Sequence, residues 1–299
     1  MTKYPEKKST WDLQQGDELV PGRYALKNLG GGHVYEAYVV WDDDMACLLV
    51  AKVMRPDYIE SVSSRRALER EAEVVASLDH PLIVRGFGAE LDGERPHLLL
   101  EHLEGRNLRS VIRYGSLGYE QILPLALNIC SAIHYMSRKG FVHLDIKSRN
   151  IILGVPPRLI DLSLARTFEQ AAKMTSPVGT DAYMPPEQCL PGQRGEITEA
   201  ADVWGLGATL YRAVNNRVPF PRADVFDEDD PLQRFPQLDG EPEPFESDVP
   251  DSLAEVILTT LRRDPLERPS AMEFAESLEP FVAALPRKPV LRRARPGVR

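Results

Sequence analysis

The residues of this chain with the clearest chemical potential lie between Val142 and Asn150, in the stretch Val-His-Leu-Asp-Ile-Lys-Ser-Arg-Asn. This stretch holds a carboxylate at Asp145, an ammonium at Lys147 and a carboxamide at Asn150. A second carboxylate, Asp161, follows. A carboxylate can accept a proton from a hydroxyl, an ammonium can offset charge on a phosphoryl group, and carboxamide and carboxylate oxygens can bind magnesium. Together these groups fit the transfer of a phosphoryl group from ATP to a hydroxyl.

The alternative is that these polar residues belong to a solvated surface loop, where isolated Asp–Lys pairs are common. Two apolar runs argue against that interpretation, because residues 151–153 read Ile-Ile-Leu and residues 158–160 read Arg-Leu-Ile. Four polar groups at this spacing, bounded by apolar runs, are typical of a functional site. We therefore interpret the stretch as the centre of an active site.

Other motifs complete a pattern that resembles the eukaryotic-type serine/threonine protein kinases of bacteria. Residues 143–150 are similar to the catalytic loop of that family, and Asp161-Leu162-Ser163 stands where the family has Asp-Phe-Gly. Lys52 resembles the strand lysine of Val-Ala-Ile-Lys, and Glu71 resembles the glutamate that pairs with it. Because Lys52 lies in an apolar run, where an unpaired ammonium is costly, it needs an anionic partner.

The C-terminal half carries further motifs in the order that the family has them. Gly179-Thr180 and the Pro-Pro-Glu motif ending at Glu187 resemble the end of the activation segment. Asp202, which opens Asp-Val-Trp-Gly, and Arg268, in Asp-Pro-Leu-Glu-Arg-Pro, resemble structural signatures of the larger lobe. The resemblance implies that Asp202 bonds the backbone of the catalytic loop and that Glu187 pairs with Arg268.

The resemblance spans about residues 24–284 and implies an α+β, two-lobed protein-kinase-like fold. The predicted N-lobe, an antiparallel sheet plus one helix, covers residues 24–103, and the mainly helical C-lobe covers residues 104–284. Periodicity within the chain agrees with this division. It predicts three antiparallel strands over residues 24–54, strands near 84–90 and 97–100, a helix over 64–78 capped by Ser64, and long helices over 122–138 and 204–214.

The resemblance also assigns a role to each polar group of the central stretch. Asp145 is expected to act as the catalytic base, and Lys147 is expected to contact the transferred phosphate. Asn150 and Asp161 are expected to hold Mg2+, which prefers hard oxygen ligands. His143 is expected to support the loop from a buried position and not to act as an acid or base.

ATP is expected to bind in a cleft between the lobes. Lys52, held by Glu71, is expected to contact the α- and β-phosphates. The other residues expected to line the nucleotide pocket are the glycines of the phosphate turn (Gly30, Gly31 and Gly32), two residues that sandwich adenine (Val34 and Ala51), the residues at the connection between the lobes (Leu100, Glu101 and Leu103) and Leu153 below the ring. Each apolar member of this set is equally compatible with an ordinary core position.

Three positions depart from the family pattern. The first turn reads Leu-Gly-Gly-Gly-His-Val, so Val34 follows Leu29 by five residues, where the family has eight. We expect this shortened turn to reach less far over the β- and γ-phosphates. Leu144 replaces the arginine of the catalytic loop, and Ser163 replaces the glycine of Asp-Phe-Gly.

The composition is that of an ordinary globular protein, with 43% hydrophobic and 27% charged residues among 299. The first residues contain no apolar stretch typical of a signal peptide, and no run reaches the roughly eighteen apolar residues of a membrane span. Three widely spaced cysteines, Cys47, Cys130 and Cys189, fit neither a disulfide framework nor a zinc site. We therefore expect a cytoplasmic protein without a membrane span.

The net charge of −9 is unevenly distributed. Residues 221–250 contain ten acidic and two basic residues, and we expect this proline-rich segment to be a solvated insertion. Residues 285–299 are expected to form a basic tail, and residues 1–20 a flexible flank. No nucleic-acid partner is expected from the overall charge, although the alternative for the tail is binding to acidic protein, a membrane surface or nucleic acid. The insertion and the tail are candidate docking sites for a regulatory partner.

These features leave three functions to distinguish. The first is an active kinase that phosphorylates serine and threonine hydroxyls of protein substrates, favoured by Lys147 and by Gly179-Thr180. The second is a pseudokinase scaffold that works through protein interactions, suggested by the short glycine turn. The third is a small-molecule phosphotransferase, against which the peptide platform from Gly179 to Glu187 argues. The complete set of polar residues favours the active kinase.

Overall fold

Alternating apolar and polar residues build an antiparallel sheet in the N-terminal part of the chain. The computed structural model describes residues 9–246 and 249–285. The strands are β1 (Glu18–Val20), β2 (Arg23–Gly31), β3 (Tyr35–Asp42), β4 (Cys47–Met54), β5 (Gly86–Glu90) and β6 (His97–Glu101). Their order across the sheet is β1-β2-β3-β4-β6-β5. The strands predicted over residues 24–54, 84–90 and 97–100 are confirmed.

One long helix, α1 (Val62–Ser77), packs against this sheet. Leu68 and Glu71 are among its buried residues. The predicted cap at Ser64 is wrong, because the helix begins two residues before that position. Ser61 is the N-cap, and its Oγ accepts the N–H of Ser64 at 3.3 Å. The extended backbone of Ser61 lets its side-chain oxygen reach this otherwise unpaired amide.

The C-terminal part of the chain is mainly helical, as predicted. Its helices are α2 (Leu108–Ile112), α3 (Tyr119–Arg138), α4 (Phe168–Ala172), α5 (Pro186–Cys189), α6 (Glu199–Asn215), α7 (Pro231–Arg234), α8 (Asp251–Thr259) and α9 (Ala271–Ala283). Short strands form two small sheets and are β7 (Arg106–Asn107), β8 (Phe141–Val142), β9 (Ile151–Leu153), β10 (Arg158–Leu159) and β11 (Arg166–Thr167). Within residues 9–246 and 249–285, no helix has the length and apolar character needed to cross a membrane.

Helices α3 and α6, which correspond to the long helices predicted over 122–138 and 204–214, form the centre of the C-terminal part. Helix α3 packs against both α6 and α9. Ile129 of α3 belongs to one apolar cluster with Leu206 of α6 and Phe274 of α9. The same cluster includes Leu98 of β6, so the sheet and the helices share a core. Burial of each such side chain contributes about 1.5–3 kcal/mol.

The segment before the sheet differs from the expected flexible flank. Residues 9–20 pack along the sheet and contribute β1 to it. Leu19 is buried, and Trp11 packs at the edge of the same apolar cluster. The Trp11 indole N–H also donates to Met54 O at 2.8 Å. The expectation is wrong for these residues, because a few apolar side chains without periodicity give no local signal in the sequence. Residues 1–8, the rest of the predicted flank, lie outside the described part of the chain.

The acidic segment between α6 and α8 is only partly the solvated insertion that the sequence predicts. Residues 222–230 are mostly exposed, as expected. Phe235 and Leu238 are instead buried against α5, so the apolar residues that follow the acidic run anchor the segment to the helices. Residues 247–248 lie outside the described residues, and so does the predicted basic tail at 286–299.

The buried ion pair between Glu187 and Arg268, implied by the family resemblance, is confirmed. Arg268 Nη1 and Nη2 donate to the two carboxylate oxygens of Glu187 at 2.6 and 2.8 Å. Both side chains are fully buried, and the guanidinium lies 4.8 Å from the ring centroid of Trp204. Because a bidentate pair has a fixed geometry, it ties α5 to the segment that leads into α9.

We expect Glu187→Gln to lower the free energy of unfolding by about 3 kcal/mol, since it leaves the Arg268 guanidinium buried without a countercharge. Urea unfolding followed by circular dichroism measures the change. Glu169→Gln is the matched control, because the side chains of the Glu169–Lys173 pair are 80% and 72% exposed. A loss below about 1 kcal/mol in Glu187→Gln, the range of exposed pairs, would contradict a structural role for the buried pair.

Candidate active site

Two short strands position the polar stretch that the sequence singled out. The stretch follows β8, passes through a 3-10 turn at Ser148–Asn150 and enters β9, so both of its ends are fixed by strand pairing. Asp145 and Asn150 are 6% and 3% exposed. The side chains of Leu144 and Ile146, on either side of Asp145, are buried and hold the segment against the helices.

The Asp145 carboxylate is at the centre of a set of short contacts. Lys147 Nζ donates to Oδ2 at 2.5 Å, and the Thr180 hydroxyl donates to Oδ1 at 2.8 Å. The side-chain amide of Asn150 donates to Asp145 O at 2.9 Å and to Oδ2 at 3.1 Å. Lys147 Nζ also donates to Thr180 Oγ1 at 2.8 Å. An ammonium and a carboxylate therefore hold a hydroxyl group between them.

Asp202 of α6 holds the backbone of this stretch, as the resemblance implied. Its carboxylate oxygens accept the N–H groups of His143 at 2.7 Å and Leu144 at 2.9 Å. Burial raises the pKa of Asp202 to about 7, an effect that the two N–H donors oppose. Leu144 has a φ of 66°, a left-handed conformation that is costly for a side chain with a Cβ, so the two bonds stabilise a strained backbone. The Leu144 side chain packs with Val142 and Ala171, in place of a cation.

His143 supports the stretch from inside. Its side chain is fully buried, and its Nδ1 accepts the N–H of Asp145 at 3.3 Å. Burial lowers the pKa of His143, although the nearby carboxylates of Asp145 and Asp161 act in the opposite direction. A neutral imidazole in this position fits the structural role that the sequence predicts.

Lys52 joins elements from both parts of the chain. From β4, its Nζ donates to the two carboxylate oxygens of Glu71 on α1 at 2.8 and 2.7 Å, and to Asp161 Oδ1 at 3.2 Å. Burial disfavours the ammonium, but the two carboxylates outweigh it and raise the pKa of Lys52. Burial also acts against ionisation of Asp161, but the Lys52 ammonium lowers the pKa of that carboxyl to about 2. Both groups are therefore charged at neutral pH.

The β9–β10 hairpin brings Asn150 and Asp161 together. The Ile160 N–H donates to Asn150 O at 2.9 Å, which fixes the residue before Asp161 beside Asn150. Because Asn150 Nδ2 is committed to Asp145, Oδ1 is the side-chain atom left for a ligand. The Asp161 side chain is 37% exposed, so its carboxylate is accessible.

These two oxygen groups fit magnesium, which accepts carboxamide and carboxylate ligands and completes its shell with phosphate and water oxygens. A protein-only metal cage is a different type of site. Among the residues that the structure describes, no three or more His, Cys, Asp or Glu side chains form such a cluster. Asn150 Oδ1 and the Asp161 carboxylate are oxygen groups of the kinds that magnesium accepts.

The glycine-rich turn between β2 and β3 needs glycine at two of its three positions. Gly30 has a φ of 87°, and Asn28 Oδ1 accepts its N–H at 2.6 Å. At Gly31 a Cβ would lie 2.3 Å from Tyr35 O, which is too close for any side chain. Gly32 has neither constraint. The first two glycines therefore give the short turn its shape.

The structure differs from the predicted nucleotide pocket at Ala51 and Val34. Side chains alternate along a strand, and Ala51 is buried with Leu99 in a cluster on the face opposite to Lys52. The Arg55 N–H donates to Val34 O at 2.9 Å, so Val34 lies opposite Arg55 in the pairing of the two strands. Because Arg55 follows Ala51 by four residues, alternation places Val34 on the same face of the sheet as Ala51. Neither position is in register with Lys52.

Two residues that were not predicted lie on the Lys52 side of the sheet. Val50, two residues before Lys52 on β4, pairs across the strands with Leu100. The Tyr35 ring centroid lies 5.2 Å from Lys52 Nζ. Leu100 and Leu153 are partly buried and both pack against the large apolar cluster. The period of two along β4, counted from Lys52, is the signal that could have identified Val50.

The connection between the lobes holds the last two predicted pocket residues. Glu101 ends β6, and Leu103 follows half-buried in the connection to β7. The Glu101 N–H donates to Arg85 O at 2.8 Å, and its carboxylate lies 3.1 Å from Arg85 Nη2 and 3.8 Å from Arg158 Nη2. The N–H of Glu101 is therefore already used within the protein.

Comparison with known proteins identifies the family of this arrangement. Residues 24–278 match the family model described as protein kinase domain. The chain belongs to the protein kinase family. The match includes both the sheet that carries Lys52 and the helical part that carries Asp145, so the two-lobed kinase fold expected from the sequence is confirmed.

Three curated relatives illustrate the similarity of this kinase chain to longer proteins. It is 29% identical over 303 residues to a probable serine/threonine-protein kinase of Corynebacterium efficiens, covering 94% of this chain and 44% of that protein. It is 28% identical over 290 residues to serine/threonine-protein kinase pkn2 of Myxococcus xanthus, covering 90% and 34%. It is 27% identical over 266 residues to serine/threonine-protein kinase PrkC of Bacillus subtilis, covering 87% and 40%. The chain therefore spans less than half the length of these relatives.

We expect Asp202→Asn to lower the free energy of unfolding by about 2 kcal/mol, because the carboxamide turns an NH2 group toward one of the two backbone donors. Urea unfolding measures the loss, and hydrogen exchange at the amides of His143 and Leu144 should become faster. Asp264→Asn is the matched control, since the exposed Asp264 carboxylate accepts the Leu266 N–H at 2.9 Å and asparagine caps as well as aspartate. Equal effects of the two substitutions would contradict the importance of the paired donors.

Proposed function

We propose that this chain is an ATP-dependent protein kinase that transfers the γ-phosphoryl group of ATP to serine and threonine hydroxyls of proteins. The observation that carries the proposal is the arrangement around Asp145, whose carboxylate contacts a hydroxyl and an ammonium at the same time. A substrate hydroxyl needs the same two partners during phosphoryl transfer. The names of the relatives, all serine/threonine-protein kinases, support this activity.

In the proposed reaction, Asp145 orients the acceptor hydroxyl and accepts its proton as the new oxygen–phosphorus bond forms and the bond between the γ-phosphorus and ADP breaks, which releases ADP. The Thr180 hydroxyl, which donates to Asp145 Oδ1 at 2.8 Å, illustrates the contact that we assign to the acceptor. Lys147 Nζ lies 2.8 Å from the same hydroxyl oxygen. From there its positive charge can offset the charge of the phosphoryl group during transfer.

Asn150 and Asp161 are the residues that we propose hold magnesium, through Asn150 Oδ1 and the Asp161 carboxylate. A bound magnesium ion neutralises charge on the β- and γ-phosphates. Lys52, kept charged by Glu71, is proposed to contact the α- and β-phosphates. The glycine turn at residues 30–32 is proposed to cover them.

The proposed adenine pocket lies on the Lys52 side of the sheet, at the lobe boundary that we place between residues 103 and 104. Its proposed apolar lining combines two predicted residues, Leu100 and Leu153, with Val50. The backbones of Glu101 and Leu103 are proposed to face the purine edge. An apolar slot with a few backbone polar groups is typical of cofactor sites.

A pseudokinase scaffold is the main alternative, and the short glycine turn is its motivation. The Lys52–Glu71 pair is fully formed, and Asp145 and Asp161 are in place with their polar partners. Loss of catalytic function is usually accompanied by replacement of one of these groups, so we favour the active enzyme. A small-molecule phosphotransferase is disfavoured because residues 179–187 resemble a platform for a peptide.

We infer a reducing, cytoplasmic location from the cysteines, since the three thiols are free and Cys130 and Cys189 are buried. Proteins with serine or threonine acceptors are the proposed substrates. The exposed acidic residues 222–230 are a candidate docking site for a regulatory partner with a basic surface.

We expect Asp145→Asn to lower kcat for a protein substrate by at least about 100-fold, because a carboxamide cannot accept the hydroxyl proton. ATP binding should persist, since the proposed nucleotide contacts do not include Asp145. Labelled ATP with magnesium and a generic basic protein measures transfer, and isothermal titration calorimetry measures binding. ATP binding without transfer in the wild type would favour the pseudokinase, and transfer only to small molecules would favour the third alternative.

Chelation of divalent cations with EDTA should abolish transfer, and added magnesium should restore it. Asp161→Asn should raise the magnesium concentration for half-maximal transfer at least about tenfold, because it removes the charged ligand. Asp264→Asn, an exposed change of the same kind, should leave that concentration unchanged. Full transfer in EDTA would contradict the proposed use of magnesium.

A further inference from the structure

The glycine-rich turn is only partly held by strand pairing, because Gly30 and Gly31 end β2 and pair with β3, whereas Gly32 and His33 lie between the two strands. Residues 30–33 are exposed, and three of them are glycines, whose backbone has the most conformational freedom to lose. Arg55, directly after β4, supplies contacts to the turn and its end. Its Nε donates to Gly32 O at 3.2 Å, and its backbone N–H donates to Val34 O at 2.9 Å. Arg55 therefore holds the turn against the end of β4.

A buried ion pair fixes the Arg55 side chain. Arg55 Nη1 lies 3.4 Å from Glu36 Oε2, and the two side chains are 8% and 1% exposed. Glu36 on β3 pairs with Gly31 on β2, so the ion pair stands at the base of the turn. A carboxylate buried to this degree requires a countercharge, which keeps the guanidinium in place.

The N-terminal segment closes over this pair. Ser9 O accepts a hydrogen bond from Arg55 Nη1 at 3.1 Å, and the Trp11 N–H donates to Glu36 Oε1 at 2.9 Å. Each member of the ion pair thus receives one backbone contact from residues 9–11. These contacts satisfy polar atoms that would otherwise need water, and they allow the pair to remain buried.

Four further contacts anchor the segment where it lies. The Trp11 indole N–H donates to Met54 O at 2.8 Å, and the Arg95 guanidinium lies 4.8 Å from the Trp11 ring centroid. The Ser9 N–H donates to Asp57 Oδ2 at 3.1 Å, and the Asp57 N–H donates to Ser9 Oγ at 3.2 Å. The segment is thereby attached on both sides of Arg55 in the sequence.

We propose that residues 9–11, Arg55 and Glu36 form a brace that positions the glycine-rich turn over the phosphates of ATP. The inference rests on the proposed function, because the position of the turn matters to a nucleotide bound beneath it. A short turn covers less of the phosphates, but a turn already fixed in place loses less conformational freedom when the nucleotide binds. Arg55 and Glu36 are positioning residues, and the N-terminal segment acts through them.

The brace couples the N-terminal segment to nucleotide affinity. Release of residues 9–11 exposes the Arg55–Glu36 pair to water, which competes for the guanidinium and weakens its contact with Gly32 O. The turn then has to be ordered by the nucleotide itself. The affinity for ATP falls as a result, whereas the groups around Asp145 are unaffected.

Trp11→Ala and Arg55→Gln test the brace through ATP binding, which needs no turnover. We expect each to raise the Kd for ATP with magnesium about tenfold, the effect of losing one charge-assisted hydrogen bond. The KM for ATP should rise in parallel, with kcat at saturating ATP within about twofold of the wild type. Arg55→Lys keeps the positive charge but lacks the planar guanidinium. Its Kd for ATP should lie between those of the wild type and Arg55→Gln.

Arg23→Gln is the matched control. It breaks the Arg23–Asp42 ion pair, 2.7 Å long, at the end of the β2–β3 hairpin away from the turn. It should lower the melting temperature without changing the Kd for ATP. If the brace variants lower the melting temperature and likewise leave the Kd unchanged, the contacts only stabilise the sheet and the proposal is wrong.

Hydrogen exchange at the amides of residues 30–33 tests the brace even without nucleotide. Faster exchange in Trp11→Ala than in Arg23→Gln supports it, and equal exchange overturns it. If the wild type binds ATP in a brace-dependent manner but transfers no phosphoryl group, the proposed activity is wrong and the brace stands. If the wild type transfers phosphoryl groups and the brace variants bind ATP as tightly, the activity stands and the brace is wrong.

Discussion

The ammonium group of Lys52 has to be neutralised where it lies, and much of the site follows from that constraint. Its carboxylate partners come from two directions, Glu71 from α1 and Asp161 from the hairpin of the larger lobe. Removing one partner would leave a charge in a place with little access to water, at a cost of several kcal/mol. The relative placement of sheet, helix and larger lobe is therefore tied to charge pairing as well as to apolar packing. The same charges are what a triphosphate and its metal ion require.

The larger lobe holds the polar stretch around Asp145 by buried polar contacts. Asp202 accepts two backbone N–H groups from a segment whose Leu144 is in a strained conformation, and the amide of Asn150 fixes Asp145 from the other side. Leu144 packs against Val142 and Ala171, at the position where the family pattern has an arginine. Contacts within the folded lobe therefore set the backbone conformation on both sides of Asp145.

The glycine turn and the N-terminal segment show how a departure from a family pattern can be accommodated elsewhere in the fold. Shortening the turn removes residues that would lie over a nucleotide, but it leaves Gly32 O within reach of Arg55. The Arg55 guanidinium is then shared between the turn, the buried Glu36 carboxylate and Ser9 O. A flank that has no regular pattern thus contacts the glycine turn through one side chain, from the face of the sheet opposite to Lys52.

The polar stretch with Asp145, Lys147 and Asn150 could be identified without the structure, because its residues are close together in the chain. Periodicity was likewise enough to predict the long helices and the strands. The sequence did not determine which side chains share a face of the sheet. Ala51 was expected to sandwich the adenine ring with Val34, although alternation along the strand places it on the face opposite to Lys52. Nor did it predict that Trp11 would pack on the sheet. A single apolar residue gives no periodic signal, and its partners at Met54 and Arg95 are distant in sequence. Register and long-range contacts were decided by tertiary structure, because they depend on how separate segments meet and not on neighbouring residues.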